Sequence, residues 1–408
     1  MTVSATSIDT LREDAHALAP ELVAVRRMLH QHPEVGLQLP KTQEIVLAEL
    51  EGLGLEISTG TSTTSVTAVL RGSEPGPSVL LRGDMDGLPI TEDTGLDYAS
   101  LEPGAMHACG HDLHTAMLIG AAKLLARHRA SLAGDVVFMF QPGEEGFDGA
   151  AHMLREGVLD ASGQRVSAAY GMHVMANIEK GVFTTRPGTL MAASAGLIVT
   201  VRGEGGHGSA PHHAKDPVSV AAQMVGDLQT LVTRRFDVFD PVVITIGMFH
   251  AGTARTIIPD EATFEATVRT FSTATQDGVE EEAVRLCRGV AAAYGLDLDV
   301  TFQRQYPATI NHPQHAAFVE DVATETFGSD RFRTMAAPQT GAEDFSRVIQ
   351  EVPGCYLMLG ARVDGDGQAV PDNHSPRVRF DESVIPDGVL LHAQLAVRAT
   401  GARQRLDE

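Results

Sequence analysis

The sequence predicts an α/β protein: a mostly parallel sheet flanked by helices, interrupted by a smaller β-α-β-β-α-β domain. Three observations predict it. Up to residue 189, short apolar runs ending in polar loops alternate with helical segments, as expected of strands buried on both faces. Between 190 and 303 the order becomes strand, helix, strand, strand, helix, strand, the split unit of ferredoxin-like domains. From 304 the first pattern returns. The outer domain is therefore discontinuous, 1–189 and 304–408, with 190–303 inserted.

Taken in order, residues 21–53 read as helical, with a break at "HQHPEVGLQLP". "PSVLLRGDMDGLPI" is a strand ending at Arg82, and "GDVVFMFQPGEEG" a strand over Val136–Phe140 with a Gly-rich turn behind it. "DLHTAMLIGAAKLLARH" puts Met117, Leu118, Ala121, Leu124 and Leu125 on one helical face. "SAAYGMHV" is a third strand. In the insert, 195–203 is a strand and 216–235 a helix. "PVVITIGMFHA" and "ATFEATVRTF" are strands, 277–295 is a helix and 296–305 a last strand. Beyond it, "GCYLMLGAR" is a strand and "SVIPDGVLLHAQLAVRA" a helix.

The 408 residues are 43% hydrophobic and 21% charged, an ordinary globular balance. The formal net charge of −22 argues against nucleic acid, whose phosphates need a basic face. No run of about 18 apolar residues exists and the first residues lack an apolar signal core, so neither a membrane partner nor export is expected. Three widely spaced cysteines, Cys109, Cys287 and Cys355, fit a reducing, cytoplasmic setting.

The chemistry concentrates where ligands bind in parallel sheets, past the carboxyl ends of strands. "RGDMDG", "HACGHD", "QPGEEG" and "GMHV" fall there or before a helix, and "PDNHSP" follows the last strand. Together they offer a thiol, imidazoles and carboxylates, the ligand types of zinc or manganese. Glu144 and Glu145 are adjacent, so their side chains diverge: one can bind a metal while the other serves as a base. Each feature alone has a plainer reading. Charges in turns are usually solvated, a lone cysteine is usually a small buried residue, and Asp112 can simply cap its helix. Cys109 as a nucleophile with a histidine base is another reading, but the surplus of metal-ligand types favours a metal.

The ordered set "RGDMDGLPI", "MHACGHDLHTAML", "QPGEEGFDGA", "GMHV", "GGHGSAPH" and "GAEDFS" resembles the aminoacylase-related dinuclear metallopeptidases. It is most similar to the branch of N-acyl-L-amino acid amidohydrolases, hippurate hydrolases and auxin-conjugate hydrolases. The resemblance implies a catalytic domain with two divalent ions per subunit, zinc or manganese with nickel or cobalt as alternatives. It also implies that the ferredoxin-like insert is a lid that makes a homodimer. It assigns Cys109, His111, Glu145, His173 and His374 as metal ligands, Glu144 as general base and Asp86 as the residue orienting a ligand. His207 would polarise the scissile carbonyl or hold the tetrahedral intermediate. The expected substrate is a small N-acyl amino acid, and Arg269 of the insert is a candidate for its carboxylate. Related proteins usually carry Asn before "VIP", where "TARTIIPD" has Thr256, a change expected to alter substrate grip. A dipeptidase or carboxypeptidase is the neighbouring reading. A metal-binding dimeric scaffold is the remote one, since a scaffold has no use for Glu144.

Overall fold

The computed structural model describes residues 7–363 and 371–401. In chain order its elements are helices α1 (Ile8–Gln31) and α2 (Pro40–Leu50), then strands β1 (Glu56–Thr59), β2 (Val66–Leu70) and β3 (Val79–Asp84). Next come α3 (His111–Arg127), β4 (Val136–Gln141), α4 (Gly149–Arg155), β5 (Ala168–Met175), β6 (Phe183–Thr185) and β7 (Gly188–Met191). They are followed by β8 (Ala193–Arg202), β9 (Gly206–His207), α5 (Pro217–Arg235), β10 (Val243–Ala251), β11 (Ile257–Ile258) and β12 (Glu261–Thr270). The rest are α6 (Thr273–Ala293), β13 (Asp297–Arg304), β14 (Thr309–Asn311), α7 (Pro313–Phe327), β15 (Phe332–Thr334), α8 (Ser346–Glu351), β16 (Gly354–Gly360) and α9 (Ile385–Gly401).

The chain divides into two compact units: one comprises Met1–Leu190, Ile310–Ala337 and Asp344–Glu408, the other Met191–Thr309 and Pro338–Glu343. The first holds an eight-stranded sheet in the order β1-β2-β4-β3-β5-β16-β6-β15. Its centre is parallel, β4 with β3, β3 with β5 and β5 with β16, while β1, β2 and the β16–β6 pair run antiparallel. Every residue of β3, β4 and β16 is buried; β4 and β16 read as near-continuous apolar runs, while β3 also buries Arg82 and Asp84 as an ion pair. Helix α3 is buried on nearly its whole circumference from His111 to Leu125, not along one stripe as its sequence suggests. It belongs to one core with Leu22 of α1 and Val389 of α9. Helix α1 begins at Ile8, well before residue 21, because Pro20 is accommodated inside it. β3 and β4 each run past the expected ends, to Asp84 and Gln141.

The second unit has a four-stranded antiparallel sheet, β10-β12-β8-β13. β8 and β12 alternate buried and half-buried residues, so only one face is covered. That face packs Leu197, Val199 and Phe264 against Met224 and Leu228 of α5 and Val279 and Cys287 of α6. Among the described residues no helix is long and apolar enough to cross a membrane.

Candidate metal centre

Four loops at the carboxyl ends of the parallel strands meet at one point of the first unit. Asp86 lies two residues past the end of β3, and Met85 N–H is tied to the Gln141 carbonyl at 2.8 Å, so the β3 and β4 loops leave the sheet together. Glu144 and Glu145 follow β4 in a turn whose two N–H groups donate to Asp86 Oδ1 and Oδ2, 3.0 Å each. Cys109 and His111 flank Gly110, which opens α3 with φ +85°; a side chain there would strike Val174 Cγ2 at 2.3 Å. His173 lies within β5. His374 arrives on a backbone at φ +69°, an uncommon conformation for a residue other than glycine, and its N–H donates to the Ala108 carbonyl at 2.9 Å.

The five expected ligands converge. Cys109 Sγ is 3.3 Å from His173 Nε2 and 3.2 Å from His374 Nε2. His374 Nε2 is 3.1 Å from Glu145 Oε1, and His111 Nε2 is 4.0 Å from the same oxygen. Three overlapping groups, Cys109–His111–His173, Cys109–Glu145–His374 and His111–Glu144–Glu145, each bring their donor atoms within 4.8 Å of one another. The tautomers are set from behind. His111 Nδ1–H donates to the Asp86 carbonyl at 2.8 Å and His173 Nδ1–H to the Val174 carbonyl at 2.8 Å, which turns both Nε2 atoms toward the cluster.

The cluster fits a cation. His111 Nε2 is buried and makes no hydrogen bond among the described residues, and Glu145 Oε1 is buried with His374 Nε2 at 3.1 Å as its neighbour. Burial and the Glu145 carboxylate raise the Cys109 thiol's pKa. Cys109 and Glu145 raise His374 to about 10. Burial opposes charge on His111, yet Asp84, Asp86 and Cys109 together hold its pKa well above the ordinary value. Burial, then His114, keeps His173 a neutral imidazole. Negative potential around clustered thiol, imidazole and carboxylate donors is what divalent ions compensate.

His114 is not free to ligate: Nδ1–H donates to Asp84 Oδ1 at 2.5 Å and Nε2 accepts from Val174 N–H at 2.8 Å. His107 is buried with neither ring nitrogen hydrogen-bonded among the described residues, and burial pushes its pKa down to about 3.

Several residues escaped the sequence reading. Asp84 sits between Arg82 and His114, with Oδ2 3.6 Å from His111 Nε2. Asp344 of "GAEDFS" accepts from Arg82 Nη2 at 3.1 Å, Gln141 Nε2 at 2.8 Å and Ala150 N–H at 2.9 Å, bracing both flanks of the Glu144–Glu145 turn. Asn373 accepts from Ala176 N–H at 3.0 Å and donates to the Val174 carbonyl at 3.1 Å, tethering the His374 loop to the end of β5. Only its place beside His374 could have marked Asn373.

The remaining expected residues belong to the second unit. His207 is exposed on β9; its Nδ1 accepts from Ser209 N–H at 3.2 Å, so the proton sits on Nε2. The Thr256 carbonyl accepts from Gly208 N–H at 2.8 Å, placing that residue beside the His207 loop. Arg269 lies apart on β12, its Nη1 donating to Thr267 Oγ1 at 2.6 Å and the Val268 carbonyl at 3.0 Å, and burial lowers its pKa.

Residues 80–398 match the peptidase family M20/M25/M40. The chain belongs to that family. Thermostable carboxypeptidase 1 of Saccharolobus solfataricus is 36% identical over 395 residues, covering 96% of this chain and 98% of that protein. N-acetylcysteine deacetylase of Bacillus subtilis is 36% identical over 383 residues, covering 93% and 97%. The YXEP protein of Bacillus subtilis, described as a dinuclear metal binding peptidase of the M20 family, superposes with a TM-score of 0.81 at 33% identity, covering 95% of this chain and 99% of that one. As a member of the M20/M25/M40 family the chain is a metal-dependent amidohydrolase.

Proposed function

We propose that the protein hydrolyses the amide bond of N-acyl-L-amino acids, releasing a carboxylic acid and a free amino acid. The observation that carries this reading is Glu144, a buried carboxylate within 4.8 Å of His111 and Glu145 donor atoms but one residue removed from the ligand position. Cys109, His111, Glu145, His173 and His374 hold two divalent ions, zinc or manganese. Those ions supply polarisation of the scissile carbonyl and a more acidic water. Glu144 takes the proton of the attacking water on its carboxylate and delivers it to the departing nitrogen. Asp86 keeps the turn rigid while it does so. The protonated Nε2 of His207 donates to the tetrahedral oxyanion. Thr256, beside the His207 loop, and Arg269 are the candidates for gripping the amino-acid end.

Residues 1–189 and 304–408 act as the catalytic domain and 190–303 as a lid that pairs protomers into a homodimer. Exposed apolar residues on the edge strand β10, Val243, Met248 and Phe249, support that role, since an unpaired apolar edge invites a second strand. A carboxypeptidase is the competing reading, favoured by the name of the relative from Saccharolobus; it differs in what lies on the acyl side of the bond.

The test uses metal and two neighbouring carboxylates. Chelation abolishes hydrolysis and a divalent cation restores it. Glu144→Gln retains metal but lowers kcat by roughly 10²–10⁴-fold, while Glu145→Gln loses metal. Full activity in a verified metal-free sample, or wild-type turnover by Glu144→Gln, overturns the assignment. Faster turnover of dipeptides than of N-acyl amino acids selects the carboxypeptidase reading.

A further inference from the structure

We propose that Arg347 is a positioning residue for Glu144: by pairing with Asp148 it holds a left-handed backbone that keeps the Glu144–Glu145 loop closed. This rests on the amidohydrolase reading above and names what holds its base in place.

Backbone geometry singles the pair out. Among the described residues only two other than glycine sit at positive φ, Asp148 at +59° and His374 at +69°. Both lie in loops that carry proposed ligands. His374 is itself a proposed ligand; Asp148 is not. A left-handed residue with a β-carbon is disfavoured where glycine is not, and such outliers persist only where the surroundings enforce them. Asp148 stands at the N-cap of α4, where an aspartate usually accepts from the first N–H groups of the helix, yet it makes no capping bond. Its Oδ1 instead accepts from Arg347 Nε at 2.5 Å. Both side chains are half-buried, so the pair escapes the full screening of a surface ion pair.

The loop depends on that backbone. Gly143 and Gly146 are left-handed at +71° and +87°, and Asp148 is the third such residue in six. Gly149 N–H then donates to the Gly143 carbonyl at 3.0 Å, which closes the loop around Glu144 and Glu145. Gly149 is pressed so close that a β-carbon there would lie 1.6 Å from the Pro142 carbonyl oxygen. A change of φ at Asp148 swings Gly149 off the Gly143 carbonyl and opens the loop. Arg347 is anchored to resist that change. Its N–H donates to the Asp344 carbonyl at 2.9 Å, and the Asp344 carboxylate takes Gln141 Nε2 at 2.8 Å and Ala150 N–H at 2.9 Å. One turn, residues 344–347, thus holds both flanks of the loop and the left-handed residue within it.

Glycine separates this role from simple structural support, because it takes the left-handed backbone without help. Wild type, Arg347→Ala, Asp148→Gly and the double variant are compared by steady-state kinetics on N-acetyl- and N-benzoylalanine. Hydrogen exchange of peptides spanning residues 141–150 is followed in the same proteins loaded with zinc. Arg347→Ala is expected to lower kcat by roughly 10–10²-fold, the cost of a displaced reacting group, and to speed exchange across the loop. Its KM stays within about twofold, since no substrate contact is lost. Asp148→Gly behaves as wild type. Recovery in the double variant of what Arg347→Ala loses upholds the proposal; no recovery, or no loss to recover, overturns it. Where Arg347→Ala does not fold, Asp148→Ala and Asp148→Gly decide instead, since both break the pair and only glycine suits the backbone. An impaired alanine variant beside an unimpaired glycine variant upholds the proposal, and equal behaviour overturns it. If wild type hydrolyses neither substrate, the amidohydrolase reading fails on its own account, and hydrogen exchange alone decides the clamp by the same comparison.

Discussion

Asp86 binds three partners with three oxygens. Its carboxylate receives the N–H groups of Glu144 and Glu145, and its carbonyl receives His111 Nδ1–H. One residue thus fixes the backbone of the proposed base, the backbone of one proposed ligand and the ring orientation of a second. Asp86→Asn keeps the size but replaces one acceptor by a donor, which then faces a backbone N–H. The expected outcome is a loss of metal affinity of roughly 10–100-fold, the usual effect of removing such support. Competition against a chromophoric chelator measures it, and unchanged affinity would show that the carboxylate does not position the ligands. At this scale the sequence was legible where residue types are chemically distinctive and clustered: Cys109, Glu144, Glu145, His111, His173 and His374 lie together, whereas His207 belongs to the second unit. It was silent where type alone says nothing. His111 and His114 lie one helical turn apart, and only their partners tell that one faces the cluster while the other bonds Asp84 and Val174. Asn373 and Asp344 act through backbone and guanidinium groups far away in sequence, which no local pattern encodes.

Between α1 and α3 runs a buried polar seam. Arg26 Nε is 2.8 Å from Asp112 Oδ2, His30 Nδ1 is 2.8 Å from the same oxygen, and His30 Nε2 reaches Glu92 Oε1 at 3.3 Å. Glu92 also accepts from Ser100 N–H at 2.7 Å and from the Thr94 hydroxyl. Burial alone would raise the Glu92 pKa, but His30, Thr94 and Ser100 outweigh it and bring it down to about 2. A depressed carboxylate stabilises the fold above its unfolded value near 4.5, and that stabilisation drains away as pH falls toward 2. Glu92→Gln therefore lowers the melting temperature near neutrality by roughly 2–4 °C and flattens its fall between about pH 5 and 2.5. Thermal melts across that range check it; parallel curves for the two proteins would remove Glu92 from the acid response. Helices of this kind were legible as helices. Their polar seam was not, because an arginine and a histidine on an amphipathic helix read as its wet side.

The proposed dimer belongs to the whole molecule. If His207 of one protomer serves the site of the other, His207→Ala and Glu144→Gln protomers, each inactive alone, regain activity when mixed, because one site of the heterodimer is intact. Sedimentation establishes the heterodimer, and its failure to regain activity, or a monomer at assay concentration, counts against the arrangement. The insert near residue 190 was read from the order of its elements, strand, helix, strand, strand, helix, strand; its one-sided sheet also alternates buried and half-buried residues, which the fully buried β3 does not. The assignment of residues 338–343 to the second unit was not visible, since so short a segment has no periodicity to read.

Strand β16 lies between β5 and β6 in the large sheet, yet it is translated 178 residues after β5 ends, from Met175 to Gly354. Its partners must wait while residues 191–309, a nearly continuous unit with its own core, leave the ribosome first. The nascent chain therefore carries a sheet with an open slot, and the last proposed ligand, His374, comes later still. Such long-range closure is slow and exposes an unpaired edge in the interval. A chain released early would hold a folded middle and an unfinished first unit, so the segment from residue 310 onward must be complete before the proposed ligands can come together.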